Sequence, residues 1–335
     1  MAFELRPEWL GLVQEEILEP ERRIVDPHHH FFTETEAFPH YRLEDLWADT
    51  GTHNVEQTVF AQCGEHHYQH GPEELRPVGE TVWVQSIAAE AARGPADAAR
   101  VGAIVGTATV CLGSKVRGVL EAHCEASELF RGIRDSAAWD DYEGIHQAAY
   151  TGNAEMYADA SFRDGFSELG ELGLSFDAYH YHTQNKHLTD LARAFPDVVI
   201  VLDHLGTPLG VGPYAGKRDE IFSLWAKDLA ELATCPNVNV KLGGMLMPWN
   251  GFGFESAERP PSSDDLVALQ ARYYHHAIEC FGPDRCMFES NFPVDKLSIS
   301  YAVLWNGFKK LAASYSEDEK DSLFRGTASR VYRLE

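Results

Sequence analysis

Two histidines near the N-terminus have the spacing of side chains that act together. His28 and His30 stand two residues apart in the stretch DPHHH, directly after the apolar residues Ile24 and Val25. Because side chains alternate along a β-strand, both imidazoles are expected on one face. Such a pair can bind a metal ion, polarise a carbonyl group or relay a proton. The alternative is a polar loop that is rich in histidine.

Polar side chains also stand where the other apolar runs of the chain end. His204 closes the run VVIVLDH, and LSFDAYHYH ends in His180 and His182. We expect these last two to share one strand face, with Asp177 and Tyr179 on the other, and we favour His182 because it lies nearer the end. The remaining runs end in Gln62, Arg134, Lys241, and the pair Glu289 and Asn291. A buried strand can end in a polar residue simply because the chain emerges from the core. That would explain one or two of these polar strand ends, but not why nearly every predicted strand has one.

The apolar runs alternate with segments of helical periodicity, which is the pattern of parallel βαβ units. Strands are predicted within residues 24–30, 58–62, 103–110, 130–134, 174–182, 198–204, 238–242 and 286–291. Eight such units predict an α/β fold, a closed (β/α)8 TIM barrel, as one domain with long βα loops. Residues 1–23 are predicted to form an N-terminal helical extension and residues 24–335 the barrel. Active sites of such barrels lie at the C-terminal ends of the strands, where the polar residues gather.

Composition narrows the possible partners and locations. The 335 residues carry a net charge of −24, which argues against attraction to nucleic acid or to anionic lipid. No apolar run approaches the roughly 20 residues of a membrane helix, and the acidic N-terminus does not resemble a signal peptide. The six cysteines show no CxxC spacing. We therefore expect a cytoplasmic protein that acts on a small molecule, with no nucleic-acid or membrane partner, and a homo-oligomer is left open.

Five motifs in this order, DPHHHF, FRGIR, VLDHLGTP, VNVKLGGM and MFESNFPVD, resemble the amidohydrolase superfamily. The resemblance is narrower to its TIM-barrel branch that includes L-fuconolactonase and 2-pyrone-4,6-dicarboxylate lactonase. It extends to the closing segment SLFRGTASRVYRL, and so from about residue 24 to residue 334.

The resemblance implies roles for three histidines. His28 and His30 match first-strand histidines that bind a metal in metal-dependent relatives and hold the substrate in metal-free ones. His204 matches a sixth-strand histidine that polarises the carbonyl or assists a metal. One divalent, zinc-like ion held by His28, His30 and His204 is therefore one expectation, and a metal-free site is the other.

The eighth-strand motif departs from the family pattern. The family reads Ser-Asp-Trp-Pro there and uses the aspartate as base, whereas this chain has Asn291, and an amide cannot accept the proton. Glu289 stands two residues before Asn291, so both side chains are expected on the same face of the strand. Glu289 is therefore a candidate base, or an ion-pair partner of Lys241 or Arg134. A first-strand histidine is the second candidate base, and a reaction without a hydrolytic base is the third possibility. Asp295 is interpreted as a surface or loop-anchoring residue.

Cations and aromatic loops suggest how a substrate is held. Arg134 and Lys241 are either partners of barrel carboxylates or ligands for an anionic substrate. The long segments 31–54 and 247–265 are predicted to cover the site, and Trp249 in the second would face a ring-bearing substrate.

Three functions follow as hypotheses. The favoured one is an amidohydrolase-type hydrolase that opens a lactone or related cyclic ester, in which His28, His30 and His204 stabilise the oxyanion and Asn291 positions water or substrate. The alternative is a decarboxylase or other lyase that acts on an aromatic or unsaturated carboxylic acid. The third is a binding protein with a decayed site.

Overall fold

The strands of this protein form one parallel barrel. The computed structural model describes residues 4–33, 40–148 and 152–334. Its eight strands are hydrogen-bonded in sequence order, which confirms the predicted TIM barrel. They are β1 Ile24–His29, β2 Val55–Ala61, β3 Arg100–Gly106, β4 Phe130–Arg134, β5 Ser175–Ala178, β6 Ile200–Leu202, β7 Val238–Leu242 and β8 Cys286–Phe288.

Helices cover the outside of the barrel and return the chain from each strand to the next. They are α1 Pro7–Leu10, α2 Leu43–Thr50, α3 Val78–Ala91, α4 Val116–Ala126, α5 Ala160–Leu172, α6 Asn185–Ala194, α7 Arg218–Leu232, α8 Ser263–Phe281, α9 Tyr301–Leu311, α10 Glu317–Asp321 and α11 Thr327–Val331. Within the described residues, no helix is both long and apolar enough to cross a bilayer.

The first strand and the segment after the last one close the barrel. The backbone N–H of His30 donates to Phe292 O at 2.8 Å, and the N–H of Asn291 donates to His28 O at 3.0 Å. A parallel bridge joins His29 to Phe292. Closure therefore brings the eighth-strand motif beside the first-strand histidines, although more than 250 residues separate them.

The N-terminal extension differs from the prediction. Within described residues 4–23, only Pro7–Leu10 is helical, and the rest crosses the outer helices as turns and irregular backbone. Tertiary hydrogen bonds hold it there: Glu15 accepts from the backbone and hydroxyl of Ser263 at 2.8 and 2.6 Å, and Leu18 N donates to Asn306 Oδ1 at 2.9 Å. These contacts outweigh the amphipathic helical pattern that the sequence shows.

All the strands except β4 and β7 end earlier than predicted, and the ends of β5 and β6 bear on the site. The fifth stops at Ala178 and the sixth at Leu202, so Tyr179, His182 and His204 all lie beyond the paired backbone. The two long βα loops follow β1 and β7, as predicted. Residues 34–39 of the first loop lie outside the described ranges.

Candidate active site

The first-strand histidines lie together on the inner face of the barrel. The Nε2 atoms of His28 and His30 are 3.2 Å apart, and both side chains are buried. Nδ1 of His30 is 2.8 Å from Ala61 O, and because a carbonyl only accepts, the proton lies on this Nδ1. The lone pair of His30 Nε2 therefore points at His28. Burial, and then the nearby charge of Lys241, lower the pKa of His28, which favours a neutral imidazole.

Glu289 joins the first-strand histidine to the sixth-strand histidine. Its Oε1 is 2.7 Å from His204 Nδ1, and its Oε2 is 2.9 Å from His28 Nδ1. Burial alone would raise the pKa of this carboxyl, but the imidazoles of His204 and His28 outweigh it and lower the pKa to about 2. A carboxylate that only accepts assigns the proton of the shorter contact to His204 Nδ1. His204 Nε2 is thereby left available at the barrel mouth.

The backbone around His204 turns sharply to place this imidazole. His204 and Leu205 adopt left-handed φ values of 54° and 56°. Gly243 and Gly244, which follow β7, pass so close that a Cβ on Gly243 would lie 2.4 Å from Glu289 Cγ and one on Gly244 would lie 2.1 Å from His204 Nδ1. The Gly-Gly pair of the LGGM motif thus leaves room for the carboxylate and the imidazole.

We expect Gly244→Ala to destabilise the protein by about 3 kcal/mol, because it adds a clash with the imidazole to a left-handed φ of 63°. Gly216→Ala is the matched control: its φ is 73°, but a Cβ there would meet no atom within 4 Å, so a loss of about 1 kcal/mol is expected. Urea unfolding measures both. Equal losses of stability in the two variants would show that glycine is needed at position 244 only for its left-handed φ, and not to leave room for His204.

Lys241 lies beneath His28 and is enclosed by carboxylates. Its Nζ is 2.6 Å from Asp177 Oδ2, 3.0 Å from Asp203 Oδ1 and 3.1 Å from His28 Nδ1. Lys241 and both carboxylates are 0% exposed. The ammonium of Lys241 outweighs the effect of burial on Asp203 and holds the pKa of that carboxyl well below its usual range. Burial raises the pKa of the Asp177 carboxyl. The predicted substrate cation is therefore committed to these carboxylates, and its side chain presents no surface to a ligand.

Arg134 reaches the mouth of the barrel. Its Nη1 is 3.2 Å from His28 Nε2 and 3.5 Å from Asp203 Oδ2. Its guanidinium lies 5.7 Å from the ring centroid of Tyr179, whose ring is 5.6 Å from that of His204. Arg134 and Tyr179 are each 8% exposed, in contrast to Lys241. Of the two predicted cations, Arg134 is the one whose side chain keeps some exposed surface.

His182 is not part of the histidine cluster. It begins a short 3-10 helix, where its Nδ1 accepts from Leu209 N at 3.3 Å and its ring contacts Tyr214. His180 contacts Tyr157 and Asn185 in the outer layer. The inner face of the fifth strand is thus the one with Asp177 and Tyr179, opposite to the face favoured from the sequence.

Trp249 belongs to an apolar cluster of the βα loops. The cluster contains Tyr179, Tyr181 and Leu209, and Trp249 packs against it in the short helix Pro248–Asn250. Within the described part of the chain, the buried indole Nε1 of Trp249 meets no hydrogen-bond acceptor. Trp249 thus packs against the cluster that contains Tyr179, whose ring is 5.6 Å from that of His204.

Asn291 is buried beside a carboxylate that the sequence did not mark as part of the site. Its Nδ2 donates to Asp295 Oδ1 at 3.0 Å, and Asp295 is 1% exposed, so Asp295 anchors loops from a buried position and not from the surface. Asp177, Asp203, Tyr179 and Asp295 are site neighbours that were not predicted to take part in the site. Asp203 could have been found from its position next to His204 in the sequence. Tyr179 could have been found from the alternation of side chains along the fifth strand, which places it on the same face as Asp177.

Three buried side chains of the site offer donor atoms to a divalent metal. His28, His204 and Glu289 each offer an atom within 4.8 Å of the others, and nitrogen and oxygen donors suit zinc. His30 lies outside this set, although its Nε2 faces His28. Yet both ring nitrogens of His28 lie within 3.2 Å of a fixed cation, Lys241 or Arg134. A divalent ion bound to His28 would therefore have to displace Lys241 or Arg134 from one of its ring nitrogens, and this disfavours a tightly held metal at His28.

Comparison with known proteins identifies the class. The family model described as Amidohydrolase matches residues 25–334, so this protein belongs to the amidohydrolase family, as its motifs indicated. Uncharacterized protein y4mH of Sinorhizobium fredii is 33% identical over 93% of this chain and 98% of that protein. An L-fucono-1,5-lactonase of Burkholderia multivorans is 29% identical, over 52% of this chain and 57% of that enzyme.

Solved structures share the fold. An amidohydrolase from Burkholderia multivorans with bound zinc superimposes with a TM-score of 0.71 at 23% identity, covering 93% of this chain and 99% of that one. A protein described as a 2-pyrone-4,6-dicarboxylic acid hydrolase, from Pseudomonas putida, superimposes with a TM-score of 0.59 at 16% identity, over 93% and 98% of the two chains. At these identities the superpositions establish the barrel fold alone.

Proposed function

We propose that this protein is a hydrolase that opens a lactone or a related cyclic ester by attack of water on the carbonyl carbon. The observation that carries the proposal is the carboxylate of Glu289, whose Oε1 is hydrogen-bonded to His204 Nδ1 at 2.7 Å and whose Oε2 lies 2.9 Å from His28 Nδ1. A carboxylate that holds the Nδ1 proton of an imidazole fixes its tautomer and stabilises the imidazolium that forms during catalysis. His204 Nε2 is then the proposed general base for water.

Glu289 suits this orienting role better than the role of base that its position suggested. A carboxyl with a pKa of about 2 is a poor proton acceptor at neutral pH. Arg134 is proposed to donate to the substrate oxygen and to stabilise the oxyanion that develops there, with His28, whose Nε2 lies 3.2 Å from its guanidinium, as a positioning residue. Trp249 is proposed to pack against the ring of the substrate.

Assay of a panel of lactones and aromatic carboxylic acids tests the reaction class. Proton release from a lactone, without release of CO₂, is expected, and His204→Ala should abolish it. Release of CO₂ from an aromatic acid would instead establish the lyase alternative. Turnover that survives in His204→Ala would overturn the proposed base.

Metal content should distinguish the two readings of the site. Because two fixed cations border His28, we expect purified protein to hold zinc below about a tenth of an equivalent and to keep its turnover after dialysis against a chelator. Elemental analysis measures the first and the lactone assay the second. A full equivalent of metal, whose removal stops turnover, would restore His28, His204 and Glu289 as ligands of a catalytic ion.

A further inference from the structure

The turn after β8 holds Asn291 and Asp295 against each other through two hydrogen bonds. Asn291 adopts a left-handed φ of 54°. The backbone N–H of Asp295 donates to Asn291 O at 3.0 Å, and Asn291 Nδ2 donates to Asp295 Oδ1, also at 3.0 Å. The amide therefore has one orientation, with its nitrogen toward Asp295. Within the described ranges, no donor reaches the amide oxygen of Asn291, so Oδ1 is free to accept.

Asp295 also ties this turn to the loop that packs on His204. Its Oδ2 accepts from Leu246 N at 3.3 Å, two residues after Gly244, whose backbone lies against the His204 ring. Burial raises the pKa of Asp295 to about 7, although the nearby His204 lowers it. Asp295 is thus close enough to sense the site electrostatically but does not touch His204.

We propose that Asp295 is a positioning residue, which orients the Asn291 amide so that Oδ1 accepts a hydrogen bond from the attacking water. The inference rests on the proposed lactone hydrolysis. The carboxylate of Asp295 stands four residues after Asn291 and accepts from its amide nitrogen, so the amide oxygen is the end of the Asn291 side chain that is left to accept. Hydrogen bonding to Asp295 polarises the amide, which makes Oδ1 a stronger acceptor.

An exchange of the two side chains tests this arrangement. Asn291→Asp alone sets two carboxylates 3.0 Å apart, so one must take up a proton. Asp295→Asn alone leaves one acceptor oxygen for the two donors, Asn291 Nδ2 and Leu246 N. The double variant N291D/D295N conserves net charge and every hydrogen bond, with donor and acceptor reversed. It also presents an acceptor oxygen at position 291.

We expect each single variant to lower kcat at least about tenfold with KM nearly unchanged, and the exchange to restore kcat to within about threefold of the parent. Thermal midpoints are measured alongside, and kcat is compared where every variant is folded. If the exchange restores the midpoint but not kcat, or if the single variants keep full kcat, the positioning role is overturned and Asp295 only anchors loops.

A readout without substrate separates this inference from the proposed function. The side-chain amide resonances of Asn291 in a ¹⁵N spectrum, assigned by their loss in Asn291→Asp, should shift in Asp295→Asn. Unshifted resonances overturn the inference whatever the activity. Shifted resonances in a protein that opens no lactone overturn the proposed hydrolysis and leave the orientation of Asn291 by Asp295 supported.

Discussion

Replacing Glu289 by glutamine is expected to lower kcat of the proposed hydrolysis by about 10³- to 10⁴-fold, with a small change in KM. Glutamine has almost the same shape, but one of its two terminal atoms becomes a donor. The carboxylate of Glu289 accepts from His204 and faces His28 Nδ1 with its other oxygen. The glutamine amide keeps an acceptor oxygen for one imidazole only and presents N–H donors to the other, which disturbs the tautomer of that imidazole. The substitution also removes the negative charge that stabilises an imidazolium.

Glu80→Gln is the matched control for this variant. Glu80 is also buried, at 1% exposure, and burial raises its pKa to about 7. Its Oε1 alone accepts from the backbone N–H groups of Cys63 and Glu65, at 3.1 and 2.8 Å. A glutamine oxygen can keep both bonds, so turnover close to that of the parent is expected. If Glu289→Gln behaves in the same way, Glu289 does not orient the histidines.

Lys241→Met should cause the largest loss of stability, about 3–5 kcal/mol in the free energy of unfolding. The substitution keeps most of the side-chain volume but removes the ammonium that lies 2.6 Å from Asp177 and 3.0 Å from Asp203. Both carboxylates are fully buried, so each must stay charged without its partner or take up a proton. Urea unfolding at neutral pH measures the change.

Lys310→Met gives the comparison on the surface. Lys310 pairs with Asp264 at 2.5 Å, but the Asp264 side chain is 82% exposed. Water screens that pair, and its removal should cost less than about 1 kcal/mol. Similar losses in the two variants would mean that the carboxylates around Lys241 find other donors.

The strands show how far local sequence patterns reach. The predicted bounds of β4 and β7 coincide with the observed ones, because apolar runs with turns on both sides define buried strands. The fifth strand was predicted to continue to His182 but ends at Ala178, since the polar LSFDAYHYH segment leaves the sheet where the barrel opens. That difference placed Tyr179 at the site and His182 beside Leu209.

The site residues show where these patterns stop. Parity placed His28 and His30 on one face, since alternation is a property of a single strand. It could not give the direction of Asp295, which lies beyond a strand end in a turn held by hydrogen bonds to Leu246 and Asn291. Nor could it tell which of several buried carboxylates meets a given cation, because such pairs form across the barrel.

The sequence by itself determined the order of the strands, the face on which the first histidines lie, and the end of the barrel that carries the polar residues. These properties follow from periodicity, which each segment contains on its own. Only the tertiary structure decided the arrangement of protons and charges: Glu289 between two imidazoles, Lys241 enclosed by Asp177 and Asp203, and Asp295 behind Asn291. Hydrogen bonds between residues far apart in the chain depend on distances of a few tenths of an ångström, and these are set by the closed barrel as a whole.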